Sequence, residues 1–165
     1  MDKNLLKSYR VIGQISNVIS KVDSFDEAIK ASLKIMLDNS AADYAVIWYV
    51  GSNDKEHLKP YYWISPVDLS KRSYKVGTGP IGKAYKKKSS EVILDFQKKP
   101  VKSVASDFEG IEIASVVCAP FEFGVVEFIK TTESGPFTED EAEICQMLTL
   151  LTEISINENI ELPDD

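Results

Sequence analysis

Histidine and cysteine are almost missing from this chain of 165 residues, which holds one His and two Cys. That scarcity excludes much chemistry. His57 stands alone between two apolar stretches, so it cannot anchor a metal site of clustered Cys, His and Asp. Nor can it serve a Ser-His-Asp or Cys-His nucleophile. Cys118 and Cys145 each sit inside an apolar stretch with no CxxC spacing, the pattern of buried thiols in a reducing compartment. No apolar run approaches the ~18 residues of a membrane span, and Met1-Asp2-Lys3-Asn4 lacks the charged-then-apolar order of a secretory leader. The expectation is a cytoplasmic protein with no metal and no cofactor. An excess of positive charge is lacking too. The net charge is −7, which argues against a general nucleic-acid binder, because such affinity comes from neutralising phosphates. The short basic stretches at Lys86-Lys87-Lys88 and Lys98-Lys99 read as solvated loop and helix-end surface.

What is present suits one domain spanning residues 1–165, with 44% hydrophobic and 27% charged residues. Leu5, Tyr9, Ile12, Ile15, Ile19 and Val22 recur at steps of three and four, predicting a helix over 3–22. Leu5, Ile12 and Ile19 are also seven apart, a short heptad seam that would suit a partner chain. Ser24-Phe25-Asp26-Glu27 is a capping box opening a second helix that Asp38-Asn39-Ser40 ends. The period then becomes two. Strands are predicted at 44–50, 58–64, 73–76, 92–94, 111–119 and 121–129, the last two joined by a corner at Pro120. Gly77-Thr78-Gly79-Pro80-Ile81-Gly82 leads into a helix near 81–88, with Pro80 at the first-turn position it tolerates. Residues 96–110 form a loop with one helical turn. Thr138-Glu139-Asp140-Glu141, a second capping box, starts a helix over 138–157, in which the acids complement the helix dipole. Strands that follow one another directly favour antiparallel pairing and an α+β fold.

The GxGxxG string at 77–82 does not meet the needs of a dinucleotide site. The strand before it is polar, no βαβ unit surrounds it, and Asp95 follows too soon. A tight turn starting a helix explains the glycines, and such a helix start could still receive an anionic group.

Four stretches carry a resemblance to the GAF domain family. They are Ala42-Asp43 with the strand from Tyr44 to Tyr49, the turn at 77–82 with Asp95 beyond it, the strand from Ala114 to Phe121 ending in a proline corner, and Val125–Lys130 followed by Gly135-Pro136-Phe137-Thr138. The resemblance covers about Leu5 to Ile156. It implies a GAF/PAS-like central six-stranded antiparallel sheet, with terminal helices on one face and a small-molecule pocket under loops and a short helix on the other. Lys130-Thr131 stands where cyclic-nucleotide-binding members are similar to one another at an Asn-Lys pair, and Pro80 lacks an amide proton that their base contact uses. Bilin-binding members have a cysteine near the pocket, and the sulfoxide-reducing members several; here none lies between residues 80 and 112. The implied role is a non-catalytic sensory or regulatory domain. It would bind an unidentified small molecule, pair as a homodimer through its terminal helices, and signal to an output domain or partner protein.

Within that frame Glu127 interrupts the apolar run Val125-Val126-Glu127-Phe128-Ile129, and a buried charge must find a cation, a donor, water or a ligand. An internal ion pair and a ligand contact both satisfy it. Alternation around that face places Ala45, Ile47, Trp63, Ile113 and Ser115 toward the pocket, with Ile81 and Phe108 from the covering segments and Gly79 and Asp95 from the turn region. These residues could equally fill a closed core. A pocket holding Glu127 favours a sensor, and a filled one favours a structural dimerisation or interaction module. A sulfoxide reductase would require Cys118 to be exposed with a low pKa.

Overall fold

The computed structural model describes residues 3–159. Helices α1 (Lys3–Ile19) and α2 (Phe25–Asn39) precede β1 (Tyr44–Gly51) and β2 (Asp54–Ile64). Then come β3 (Tyr74–Lys75), α3 (Gly79–Lys87), β4 (Glu91–Ile93) and the six-residue α4 (Lys102–Asp107). The chain continues as β5 (Ile113–Phe121), β6 (Gly124–Thr131) and α5 (Glu139–Asn159). The Leu5 side chain and the tail from residue 160 lie outside the described residues.

The capping signals do what their chemistry demands. Ser24 Oγ accepts from the Glu27 amide at 3.1 Å. Thr138 and Glu141 exchange both capping-box bonds, at 3.1 and 2.9 Å. The sheet is antiparallel throughout, in the order β3-β2-β1-β6-β5-β4. Its two faces carry separate cores. Under α1, α2 and α5 lie Val11, Ile15, Leu33, Met36, Phe128 and Leu148. On the other face Val46, Trp48, Leu58, Ile81, Val104 and Phe108 pack beneath α3 and α4. This is the α+β arrangement expected from the sequence, two helices on one side of the strands, short helices across the other and a long helix closing the chain.

Three details differ from expectation, the first being that β2 starts at Asp54, four residues before the predicted 58, and so takes in His57. The first helix ends at Ile19, three residues early, where Ser20 and Lys21 turn toward α2. Pro120 makes no corner. It lies within β5 opposite Val125, and the hairpin turns at Glu122-Phe123. The short β4 pairs β5 only as far as Cys118, so beyond it a missing amide proton deprives no ladder bond.

Gly124 closes that hairpin against β1. A Cβ there would stand 1.9 Å from the Trp48 carbonyl oxygen, and backbone cannot give way as a flexible side chain does. Gly124→Ala is therefore expected to cost about 3 kcal/mol or more in urea unfolding. Gly13→Ala, in the exposed middle of α1 with nothing within 4 Å, should instead stabilise by roughly 0.5–1 kcal/mol.

Candidate functional site

The middle strands bring a carboxyl group and an indole together inside the sheet. β1 and β6 pair so that Val46 faces Glu127 and Trp48 faces Val125, and all four side chains point toward α3 and α4. Buried indoles seek an acceptor. Trp48 Nε1–H donates to Glu127 Oε1 at 3.0 Å. The Trp48 ring meets Tyr74 of β3 edge-on, with centroids 5.1 Å apart. The Tyr74 hydroxyl donates to Asp107 Oδ2 at the end of α4. Arg72 approaches Asp107 Oδ1 at 3.6 Å and donates to the Ser106 carbonyl at 3.0 Å. A line of polar groups thus runs from the centre of the sheet to a half-exposed guanidinium.

The two acids in this line differ in what balances them. Glu127 is fully buried, and its Oε2 has no hydrogen-bond partner. Burial pushes its carboxyl up to about 8, while the Trp48 bond pulls the other way and the charge on Asp107 adds to the rise. Asp107 is also raised by burial, against the lowering effect of Tyr74 and Arg72. At neutral pH Glu127 is mainly a neutral acid whose second oxygen faces no partner. Beside it on β5, Cys118 is paired in register with Glu127. Burial first, and then the Glu127 charge, lift its thiol well above the ordinary range.

Of the residues singled out in the sequence, Glu127, Trp63, Ile81, Phe108 and Ile113 do share this face. Gly79 opens α3 in the left-handed region at φ 65°, next to the Tyr74 ring. Gly77, at φ 92°, makes the preceding turn. Four residues are corrected. Ala45 and Ile47 pack against the layer of terminal helices, because the register places Val46 and Trp48 on the face of Glu127. Ser115 also points that way. The irregularity between Ile113 and Ser115 shifts the alternation by one residue. Ser115 Oγ donates to the Leu94 carbonyl at 2.6 Å and accepts from the Phe137 amide at 3.0 Å, a structural pin. Asp95 is exposed and caps its own turn by accepting from the Lys98 amide at 3.1 Å. Trp48, Tyr74, Asp107 and Arg72 went unread. The run from Tyr44 to Val50 is apolar throughout and carries no alternation to reveal its parity. Asp107 is separated in sequence from Tyr74 and Arg72, the partners of its side chain.

Trp48, which bonds Glu127, and Ile81 and Phe108 of the same core are all fully buried. Several clefts lie elsewhere, and two of them border the helix layer and β4. One, of about 30 Å³, runs between the sheet, α2 and α5, lined by Ser32, Met36, Thr149 and Thr152 among others. The Ser32 and Thr152 hydroxyls have no partner, and a space of this size holds one water-sized molecule. The other is a surface groove of about 450 Å³ along β4. Among the described residues no group of three metal-ligating side chains occurs, and no helix is long and apolar enough to cross a membrane.

No protein-family model matches the sequence, and no curated protein is significantly similar to it. Solved structures do match. A GAF domain from A. aeolicus in an inactive state superposes with a TM-score of 0.68 at 17% identity, covering 94% of this chain and 99% of that one. The GAF domain of an Acinetobacter phosphoenolpyruvate-protein phosphotransferase gives 0.69 at 13%, covering 96% and 95%. Free methionine-R-sulfoxide reductase from Neisseria meningitidis, solved with its substrate, also gives 0.69, at 16%, covering 96% and 93%. The chain has the fold of a GAF domain.

The buried carboxyl has a measurable signature. Its pKa is about 8 in the folded chain against roughly 4.3 when unfolded. Between those values only the folded state holds the proton, so stability falls as pH rises, by up to roughly 1.4 kcal/mol per pH unit, and levels off above pH ~8. Glu127→Gln removes this contribution. Urea unfolding of both proteins from pH ~5 to ~8 should show the variant gaining on wild type as pH rises. A constant difference would mean that Glu127 stays ionised in the fold.

Proposed function

We propose that this chain is a non-catalytic regulatory module. Its small-molecule ligand enters beneath α3 and α4, meets Glu127 Oε2 with a polar group, and lays an apolar body against Trp48 and its neighbours. The observation that carries this reading is the unpartnered oxygen of a fully buried carboxyl, because an unmet polar group in the core costs ~1–3 kcal/mol unless something else supplies the partner. Entry requires the cover between Gly77 and Gly110 to move, and that movement is the signal.

The thiols support a role without catalysis. Burial keeps the Cys118 thiol from ionising and pushes Cys145 up to about 12, while redox-active cysteines need a low pKa and access. The two also lie in the cores on opposite faces of the sheet, so they cannot form a disulfide with each other. The signal would leave through the terminal helices. α1 exposes Leu6 and Tyr9, at 50% and 61%, with Ile12 beside them; α5 exposes Leu150 and Ile154. Ser8 Oγ on α1 donates to Met147 Sδ on α5 at 2.9 Å, which sets the two helices side by side. A second copy covering both is the natural partner, and an output domain or partner protein would read the change in their packing.

One observation favours the rival reading, a structural dimerisation or interaction module. Trp48, which bonds Glu127, has no exposure, and neither do Ile81 and Phe108 of the same core.

A thermal-shift screen against nucleotides, amino acids, keto acids and common metabolites separates the two. A ligand at a hundred times its dissociation constant adds about 2.7 kcal/mol, and the gain should vanish in Glu127→Ala, which removes the polar group. A screen without hits moves the assignment to the structural module. In sedimentation, the double variant Tyr9→Glu, Ile154→Glu should convert a dimer to a folded monomer. A wild-type monomer at high micromolar concentration would remove the helix-pairing step.

A further inference from the structure

β4 is an edge strand, three residues long, and among the described residues no other strand pairs with its outer side. Val92 at its centre is 40% exposed. Alongside runs the groove of about 450 Å³, whose apolar lining comes from Val92, Ile93, Leu94 and Val101 and whose polar residues are Asp95, Lys98 and Lys99. Asp95 is occupied in its own turn. Lys98 and Lys99 are exposed, and among the described residues neither has an ion-pair partner. The charge of the surrounding chain is lopsided. Residues 71–102 hold ten Lys and Arg against only Glu91 and Asp95, a positive excess of eight in a chain whose net charge is −7. The cover over the buried site is therefore a basic surface on an otherwise acidic protein.

We propose that the β4 edge and this groove form a docking site for an extended peptide of a partner protein, one in which acidic and apolar residues alternate. The peptide adds a strand to the sheet. Its backbone pairs with the outer side of β4, alternate side chains enter the groove between Val92 and Val101, and the acids between them reach Lys98, Lys99 and the neighbouring Lys102. Two other occupants fit less well. A second copy joined edge to edge would bring the two sets of lysines together, the repulsion by which proteins protect exposed edges. A nucleic acid could meet the lysines but has no peptide backbone to pair with a strand, and it would face the acidic remainder of the chain.

The test is fluorescence anisotropy of the whole protein with a labelled peptide of about eight alternating Glu and Val residues, the length of an ordinary strand. Saturable binding is expected, weakening as salt is added. The surface variant Lys98→Glu, Lys99→Glu should lose affinity roughly tenfold or more through charge repulsion across the rim. An alternating Lys and Val peptide should not bind. Hydrogen exchange at Glu91 to Leu94 should slow in the complex. The proposal is overturned if charge reversal leaves affinity unchanged. It is equally overturned if polyglutamate or a single-stranded oligonucleotide binds as tightly as the alternating peptide, since the edge and groove would then contribute nothing.

Discussion

A carboxyl group removed from water between two strands must be neutral or paired, and Glu127 manages both only in part. One oxygen takes the Trp48 indole proton at 3.0 Å; the other takes nothing. Much of the face beneath α3 and α4 is arranged around this half-met demand. Trp48 is held in place by Tyr74, Tyr74 is tied to Asp107, and Asp107 is steadied by Arg72 at the surface. α4 therefore touches the sheet through a polar bond as well as by packing. α4 is only six residues long and would have little hold of its own, since helices this short are marginal without tertiary contacts. The Tyr74–Asp107 bond fastens it to the strand beneath.

The same demand explains how the interior can be both closed and unsettled. Aromatic and branched side chains form the buried core of this face, so packing resists opening. An unsatisfied oxygen and two acids raised by burial favour whatever supplies a donor or admits water. Opening the cover exposes Trp48 and Phe108 at a cost, and partly regains the hydration of Glu127 and Asp107. A cover balanced in this way is easier to displace than an apolar core of equal area.

Much of the architecture could be read from the chain because its local signals agree with one another. Ser24 and Thr138 cap helices where the capping chemistry places them, and every strand was located to within a few residues except the early part of β2. The candidate site was only half legible. Glu127 stood out because a charge in an apolar run is rare, and Ile81 and Phe108 followed from the covering segments. The faces of Ala45, Ile47 and Ser115 were lost because a wholly apolar strand carries no alternation. A single irregularity in β5 then reversed the parity of one end relative to the other. Asp107 and Arg72 meet across 35 positions of chain, a contact that no local pattern encodes.

The sheet is one strand thick, and this links the two faces more directly than any chain of side chains. Glu127 faces the cover, while its neighbours Val126 and Phe128 lie in the core under α2 and α5. Likewise Trp48 faces the cover and Ile47 the helices. A shift of β6 against β1 that lets Glu127 reach a new partner must move Val126 and Phe128 by a similar amount, because alternate residues share one backbone. On the helix side those residues meet a layer that is itself imperfectly sealed, with Val126 lining the small cleft that holds the unpaired Ser32 and Thr152 hydroxyls. Dense apolar packing would transmit such a shift as strain. A cleft bordered by unpaired hydroxyls leaves room for adjustment between α2 and α5 instead, and under the reading proposed above α5 would pass it on to α1.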